Sequence, residues 1–189
     1  MMPLLLICCE GKTEQQYFQM LQRMFRLPGA RVFIIGERGQ HKALINRTVQ
    51  EREKLCAEHG FSMEEIECWA VCDDDGMTGK YAELLAYAEA NNVQLAFSRP
   101  QFEAFILQHF EQSGEYRQAV LYERLSTHKE RRGCGPYSKG DLSWLMTAID
   151  EKPKLVDIAI TNADQRHRQS DKLFLTVQGL VKRMRELGK

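Results

Sequence analysis

An apolar stretch that ends abruptly in three carboxylates constrains this chain most. Residues 66–72 (Ile-Glu-Cys-Trp-Ala-Val-Cys) are bulky and mostly apolar, which predicts a β-strand, and Asp73, Asp74, Asp75 and Gly76 follow directly. The acids therefore stand at the carboxyl end of a strand. In open α/β sheets this edge carries the ligand-binding crevice, because the loops there separate.

Two of the three acids are expected to act together. In an extended loop alternate side chains point the same way, so Asp73 and Asp75 converge while Asp74 turns aside. Two carboxylates about 4 Å apart repel by roughly 4 kcal/mol at an effective dielectric near 20. A hard cation such as Mg²⁺ or Mn²⁺ removes that cost, since it takes oxygen ligands. A solvated turn is the alternative, because Asp-Gly steps are ordinary turn formers.

The order of the predicted elements indicates an α/β fold with a central, mostly parallel sheet of four strands. The predicted strands are residues 3–9, 31–36, 66–72 and 93–97. Helical patterns separate them, which implies right-handed crossovers between parallel strands. After Pro100 the pattern is helical only, ending in an amphipathic helix over 173–187. We expect one domain over 1–189, with a core at 1–112 and an all-helical extension at 113–189.

Composition excludes several classes of protein. Apolar residues make up 43% and charged residues 28%, which is typical of a globular protein outside the membrane. Neither a run of 18 apolar residues nor a basic leader is present, so we predict no membrane contact and a cytoplasmic location. The six cysteines lack zinc spacing, which favours reduced thiols. The 26 basic and 26 acidic residues cancel, so no global field attracts nucleic acid.

Three further acids follow other predicted strands. Glu10 ends the first strand, Glu14 lies in the first turn of the next helix, which a Thr13–Gln16 capping box is predicted to open, and Glu103 follows the fourth strand. If the first and third strands are neighbours, these acids share one crevice with Asp73. The alternatives are that Glu14 only complements the helix dipole and that Glu103 is exposed.

Two motifs of known phosphate-handling proteins share features with these residues. A P-loop needs a glycine five residues before Gly11, where this chain has Leu6. The Asp73–Gly76 stretch is also similar to that of haloacid-dehalogenase phosphatases, in which the first Asp is a nucleophile and the second a general acid. No later Asp-Asp pair completes that arrangement, yet a phosphatase stays a lesser alternative.

Five motifs together resemble the RloB-like proteins, which are related to the overcoming-lysogenization-defect nucleases of the Toprim fold. They are C-E-G-K-T-E-x-x-Y-F at 9–18, D-x-D at 73–75, F-S-x-P-x-F-E-x-F-x-L-x-H-F at 97–110, Y-x-K at 137–139 and T-V-x-x-L-V at 176–181. The resemblance covers nearly the whole chain. Two positions depart from the usual pattern, with Arg99 in place of a small polar residue and Asp74 in place of a basic or polar one.

The resemblance implies a Toprim or Rossmann-like sheet and a site that binds two divalent ions, Mg²⁺ or Mn²⁺. It implies that Glu10, Glu14 and Asp73 bind one ion and that Asp73, Asp75 and Glu103 bind the second. Glu10, Asp73, Asp75 and Lys139 would be catalytic, with Lys139 assisting the phosphate. A solvated loop lysine is the alternative for Lys139.

These implications lead to the hypothesis of a metal-dependent nuclease that cuts DNA or RNA. Residues 124–139 carry a local basic excess and an aromatic ring for stacking, so they are the expected contact to the nucleic acid. The predicted contact residues are Arg99, Lys129, Arg131, Arg132 and Tyr137. The resemblance also implies a partner ATPase and a role in anti-phage or restriction-linked defence. The competing hypothesis is a non-catalytic scaffold that binds nucleic acid or the ATPase. The oligomeric state is left open.

Overall fold

A five-stranded sheet organises the residues that the computed structural model describes, which are residues 3–77 and 79–188. The strands are β1 (Leu4–Cys9), β2 (Val32–Ile35), β3 (Ile66–Asp73), β4 (Val93–Arg99) and β5 (Phe174–Leu175). They lie in the order β2-β1-β3-β4-β5, and β5 alone among them is antiparallel to its neighbour. The predicted α/β class and mostly parallel sheet are confirmed.

Eight helices cover the two faces of this sheet in the described part of the chain. They are α1 (Lys12–Met24), α2 (His41–His59), α3 (Tyr81–Ala90), α4 (Phe102–Leu107), α5 (Gln118–Glu130), α6 (Ser143–Glu151), α7 (Lys154–Asp164) and α8 (Val177–Leu187). None of the helices described is long and apolar enough to cross a bilayer.

The prediction of four strands and an all-helical extension is wrong. Phe174 and Leu175 pair with Arg99 and Ser98 of β4, and the terminal helix begins at Val177 instead of residue 173. Two residues are too few to show the alternation of a strand, and their spacing from the next apolar residues fits a helix equally well. The division into a core at 1–112 and an extension at 113–189 stays a prediction. Residues 1, 2, 78 and 189 of the predicted domain lie outside the described residues.

The first helix also begins differently from the prediction. Gly11 is the N-cap of α1 and makes no side-chain cap, so the predicted Thr13–Gln16 capping box is wrong. Thr13 is instead buried within the first turn. The strand-to-helix connection is therefore two residues shorter than expected, since the helix begins at Lys12 instead of Glu14, and this brings the start of α1 close to the end of β1.

Strand β1 is buried on both faces, which explains its continuous apolar sequence. All six of its residues are fully buried. Leu5, Ile7 and Cys9 pack with α1 and the later helices, whereas Leu4, Leu6 and Cys8 pack with α2 and α3. Central parallel strands between two helical layers have this pattern. The carboxyl end of β1 is thus held firmly beside its neighbours.

A buried hydrogen bond connects α1 to the segment that follows α4. The Tyr17 hydroxyl lies 2.9 Å from His109 Nε2, and His109 Nδ1 lies 3.0 Å from the Ile106 carbonyl. Because a carbonyl only accepts, Nδ1 carries the proton and Nε2 accepts from Tyr17. Burial lowers the pKa of His109 to about 4, so the ring is neutral at neutral pH. This bond connects the helix that carries Glu14 to the segment directly after the helix that carries Glu103.

We expect Tyr17→Phe to lower the free energy of unfolding by about 1–3 kcal/mol, because it leaves the buried Nε2 of His109 without a donor. Urea denaturation measures the change. Tyr87→Phe is the matched control, since the Tyr87 hydroxyl donates to Asn46 Oδ1 at 2.6 Å on the surface. The control should change stability by less than about 0.5 kcal/mol. Equal effects of the two substitutions would contradict the role given to the buried bond.

Candidate metal centre

The ends of β1 and β3 bring Glu10 and Asp73 together, as predicted for neighbouring strands. Cys9 pairs with Val71, and the Glu10 amide continues the ladder by donating to the Val71 carbonyl at 3.0 Å. The Asp73 amide in turn donates to Glu10 Oε2 at 3.1 Å. The sheet register therefore fixes these two acids at the same edge.

Glu14 reaches this edge from the first turn of α1, where it is 4% exposed. Its carboxylate lies close to the backbone of Gly11. A Cβ atom at Gly11 would meet Glu14 Oε2 at 2.9 Å, which is closer than such contacts normally allow. A glycine at the helix start thus leaves room for the carboxylate of the acid three residues later.

Glu103 reaches the edge from the first turn of α4 and is fully buried. The Tyr137 hydroxyl donates to Glu103 Oε1 at 2.9 Å. The exposed alternative for Glu103 is therefore wrong. The sequence predicted Tyr137 as a base-stacking residue and gave no sign of this hydrogen bond, although Tyr137 belongs to the same Y-x-K motif as Lys139.

The electrostatics show that four acids share one neighbourhood. Burial first, and then the charges of Glu14, Glu103 and Glu10, raise the pKa of Asp73 well above its ordinary value. Burial and the nearby Asp75 raise the pKa of Glu10 to about 7. Burial and the charge of Glu103 raise the pKa of Glu14. Each of these shifts is what desolvation and like charges produce when no cation balances them.

Two carboxylate oxygens in this neighbourhood lack a hydrogen-bond partner. They are Asp73 Oδ1 and Glu103 Oε2, both buried. Buried acceptors of this kind are costly unless a donor or a cation satisfies them. Carboxylate oxygens are also the ligands that Mg²⁺ and Mn²⁺ prefer, so the donor chemistry fits a hard divalent ion.

The acids do not form a closed metal cage. Across residues 3–77 and 79–188, no group of three or more His, Cys, Asp or Glu side chains is arranged so that it could hold a metal ion. Carboxylates with no cation between them repel one another, so an open arrangement is the one that electrostatics favours. The predicted metal ligands are thus neighbours whose side chains would have to close on an ion.

Asp75 lies at the rim of this group instead of inside it. It is exposed, its φ of 41° is in the left-handed region, and its Oδ2 accepts from Gln40 Nε2 at 2.8 Å. Asp73 and Asp75 are therefore both neighbours of Glu10, but Asp73 is buried among the acids and Asp75 lies at their edge. No sequence pattern indicated Gln40 as a partner of Asp75.

Lys139 is an exposed cation beside the buried acids. Partial burial acts to lower the pKa of Lys139, but the charges of Glu103, Asp73 and Glu14 outweigh it and raise that pKa. Lys139 lines a cavity of about 250 Å³ together with Glu10, Glu14 and Asp73. Lys139 is therefore more than a solvated loop lysine, because its side chain faces the buried acids.

Asp74 turns away from the acids, as predicted, and forms a buried ion pair with Arg99. Arg99 Nε donates to Asp74 Oδ1 at 2.8 Å, and Arg99 Nη2 lies 2.7 Å from the same oxygen. Arg99 Nη1 donates to the Ser170 carbonyl at 2.9 Å. The two residues that depart from the usual RloB pattern therefore neutralise each other. Arg99 is 1% exposed, so it cannot serve as the predicted nucleic-acid contact in this conformation.

The other predicted nucleic-acid contacts do not form one accessible surface. Lys129 is buried, pairs with Asp141 at 2.7 Å and donates to the Pro136 carbonyl at 2.9 Å. Tyr137 is 7% exposed and cannot stack on a base in this conformation. Arg132 pairs with Glu151, which leaves Arg131 as an exposed residue without an ion pair in the described part of the chain. A count of basic residues could not foresee these partners.

We expect Arg99→Asn to lower the free energy of unfolding by about 3–5 kcal/mol, because it leaves Asp74 buried without its cation. The double variant Asp74→Asn/Arg99→Asn should lose less than the sum of the two single changes, since no unpaired charge remains. Urea denaturation of the four proteins measures this coupling. The hydrogen bond to Ser170 is lost in both variants that replace Arg99, so its energy cancels when the coupling between Arg99 and Asp74 is calculated from the four proteins. Additive losses would show that the pair is not coupled.

We also expect the metal-free protein to lose stability as pH rises from about 4.5 to above 7. An unfolded glutamate ionises near the lower value, whereas Glu10 in the folded chain holds its proton to about 7, so folding becomes less favourable across that window. Glu10→Gln removes this ionisation. At pH 8 in EDTA it should raise the Tm by about 2–4 °C, which corresponds to ~1 kcal/mol for a chain of this size.

The gain should shrink as pH falls toward 4.5 and vanish below that value, where the glutamate is protonated in both the folded and the unfolded state. Glu64→Gln is the matched control, because Glu64 is an exposed acid before β3, at the opposite edge of the sheet. A gain from Glu10→Gln that is the same at all pH values, or that Glu64→Gln reproduces, would contradict the repulsion described above.

Comparison with known proteins supports the resemblance on which the site residues were predicted. Neither curated proteins nor solved structures give a match to this chain. A family model described as RloB-like protein matches residues 5–184, which is nearly the whole sequence. The chain therefore belongs to the RloB-like protein family.

Proposed function

We propose that this chain is a cytosolic, metal-dependent phosphodiesterase of Toprim type that cuts nucleic acid, using Mg²⁺ or Mn²⁺. The observation that carries the proposal is the group of buried acids at the carboxyl edge of the sheet. Two of its oxygens lack partners, and Lys139 faces it from the surface. Structural carboxylates usually pair with cations or donors, so an unsatisfied group of this kind favours a functional site.

Glu10, Glu14, Asp73 and Glu103 are the residues that would hold the metal, with Asp75 available from the rim. When bound, divalent ions would neutralise these charges and polarise the phosphodiester for hydrolysis. The family resemblance implies two ions, with Asp73 shared between them.

The chain's own residues would position the substrate and the ligands. Lys139 is placed to contact a non-bridging phosphate oxygen, because it already lies beside Asp73 and Glu14 at the mouth of the cavity. Tyr137 holds Glu103 by one oxygen and leaves Oε2 unbonded. Gln40 holds Asp75 in the same way from the start of α2. Glu103, Asp75 and Glu10 would thus each offer a carboxylate of which one oxygen is already held by a neighbouring side chain or backbone amide.

The family resemblance also supports proposing a partner ATPase and a role in anti-phage defence. A scaffold without catalysis is the competing class, and the open arrangement of the acids is the observation that favours it. The two differ in whether the acids are needed for turnover or only for binding.

We expect the purified protein to cut single-stranded or duplex DNA or RNA in Mn²⁺ or Mg²⁺ and to be inactive in EDTA. Asp73→Asn should reduce cleavage by at least about a hundredfold, because Asp73 lies among all the other acids of the site. Labelled oligonucleotides resolved on denaturing gels measure the rate. Glu64→Gln, at the opposite edge of the sheet, should cut as the wild type does.

The assay should be repeated with the candidate ATPase and ATP. If wild type and Asp73→Asn are equally inert under all these conditions, the scaffold is the better account. Turnover of a small phosphomonoester with a covalent phosphate on Asp73 would favour the phosphatase instead. Thermal melting of each variant separates loss of activity from loss of folding.

A further inference from the structure

The antiparallel strand β5 places an unpredicted basic segment at the edge of the sheet that carries the acids. Phe174 pairs with Arg99, the last residue of β4. Because the two strands run in opposite directions, the residues that precede β5 lie at the carboxyl end of β4. Those residues are 165–172, with the sequence Gln-Arg-His-Arg-Gln-Ser-Asp-Lys. We call them the β5-leading loop.

The cations of the β5-leading loop are free of acidic partners. Arg166, Arg168 and Lys172 form no ion pair within residues 3–77 and 79–188, and Asp171 is the one acid in the loop sequence. In the segment predicted to contact nucleic acid, by contrast, Lys129 has an acidic partner at 2.7 Å. Unpaired cations are the ones available to an anion.

These cations share a cavity with an exposed aromatic ring. Arg166, Arg168, Ser170 and Lys172 line a cavity of about 290 Å³ together with Tyr116, and no acidic residue lines it. Tyr116 is 38% exposed, and Lys172 Nζ lies 5.4 Å from the centre of its ring. Arg166 Nε is buried without a hydrogen-bond partner. A positive groove beside an exposed ring is the arrangement that binds a phosphate backbone and stacks on an unpaired base.

A chain of hydrogen bonds connects this cavity to the candidate metal centre. Ser170, which lines the cavity, accepts from Arg99 at 2.9 Å, and Arg99 donates to Asp74 at 2.8 Å. Asp74 is the residue after Asp73. The β5-leading loop is therefore anchored to the same strand end that carries the central acid of the site.

We propose that the cavity formed by Tyr116 and the β5-leading loop binds single-stranded nucleic acid, with its cations on the phosphates and Tyr116 against a base. The inference rests on the proposed function in that it names the form of the substrate. It also gives the chain a contact surface in place of the buried Arg99, Lys129 and Tyr137.

Binding is measured by fluorescence anisotropy with labelled 20-nucleotide DNA and RNA strands in EDTA, so that neither metal nor cleavage contributes. We expect Arg166→Gln/Arg168→Gln/Lys172→Gln to weaken binding at least about tenfold at 100 mM salt. The slope of log K against log salt should fall by about two, since each lost phosphate contact on a single strand accounts for about 0.7.

The matched control is Arg23→Gln/Arg26→Gln/Lys54→Gln. It removes the same charge from the carboxyl-terminal turn of α1, from the turn that follows it and from α2, toward the opposite edge of the sheet, and should leave affinity and slope near those of the wild type. Equal losses in the two triple variants, or no binding by the wild type, would overturn the inference. Circular dichroism confirms that both variants are folded.

Tyr116 tests the single-strand part of the inference. Tyr116→Ala should weaken binding about tenfold, whereas Tyr116→Phe should keep it, because stacking needs the ring and not the hydroxyl. A duplex of the same sequence should bind more weakly than the single strand. If the duplex binds tightly and Tyr116→Ala leaves that affinity unchanged, this assignment is overturned. Since no metal is present, loss of binding in the triple variant would stand even if the protein proved to have no nuclease activity.

Discussion

Repulsion among buried carboxylates is the constraint on which this molecule's site depends. Asp73 lies among Glu10, Glu14 and Glu103, and burial with like charge raises its pKa well above the ordinary range. Such a group is unfavourable for folding unless protons or cations balance it. The surrounding sheet and helices must therefore supply the stability, and the doubly buried β1 is the clearest source of it.

The remaining contacts around the site hold the neighbouring polar side chains away from the group of buried acids. Arg99 neutralises Asp74 and keeps it apart, Tyr137 satisfies one oxygen of Glu103, and Gln40 holds Asp75 at the rim. Lys139 stays exposed and faces the acids. The two departures from the family pattern thus act as one unit, which explains how the extra aspartate is tolerated beside the other acids.

The acids could be predicted from sequence because they follow apolar strands. The apolar runs show where each strand ends, and parallel strands have their carboxyl ends at the same edge of the sheet. The same reasoning put Glu10 and Asp73 at one edge on the condition that β1 and β3 are neighbours, and the structure meets that condition. It could not find β5, because two residues carry no period. It also could not find the partners of Lys129, Arg99 and Tyr137, because the local pattern around a polar side chain does not show which distant residue it will meet in the folded chain. The β5-leading loop was missed for both reasons.

The position of β5 has a consequence for biosynthesis. The edge of β4 is covered by a strand made after every other strand and seven of the eight described helices. On the ribosome, the outer edge of β4 at Ser98 and Arg99 therefore stays without its partner strand while about 75 further residues are translated. An open edge of this kind invites pairing with other nascent chains. Completion of the sheet is thus a late event, and the β5-leading loop reaches its place beside the acids only then.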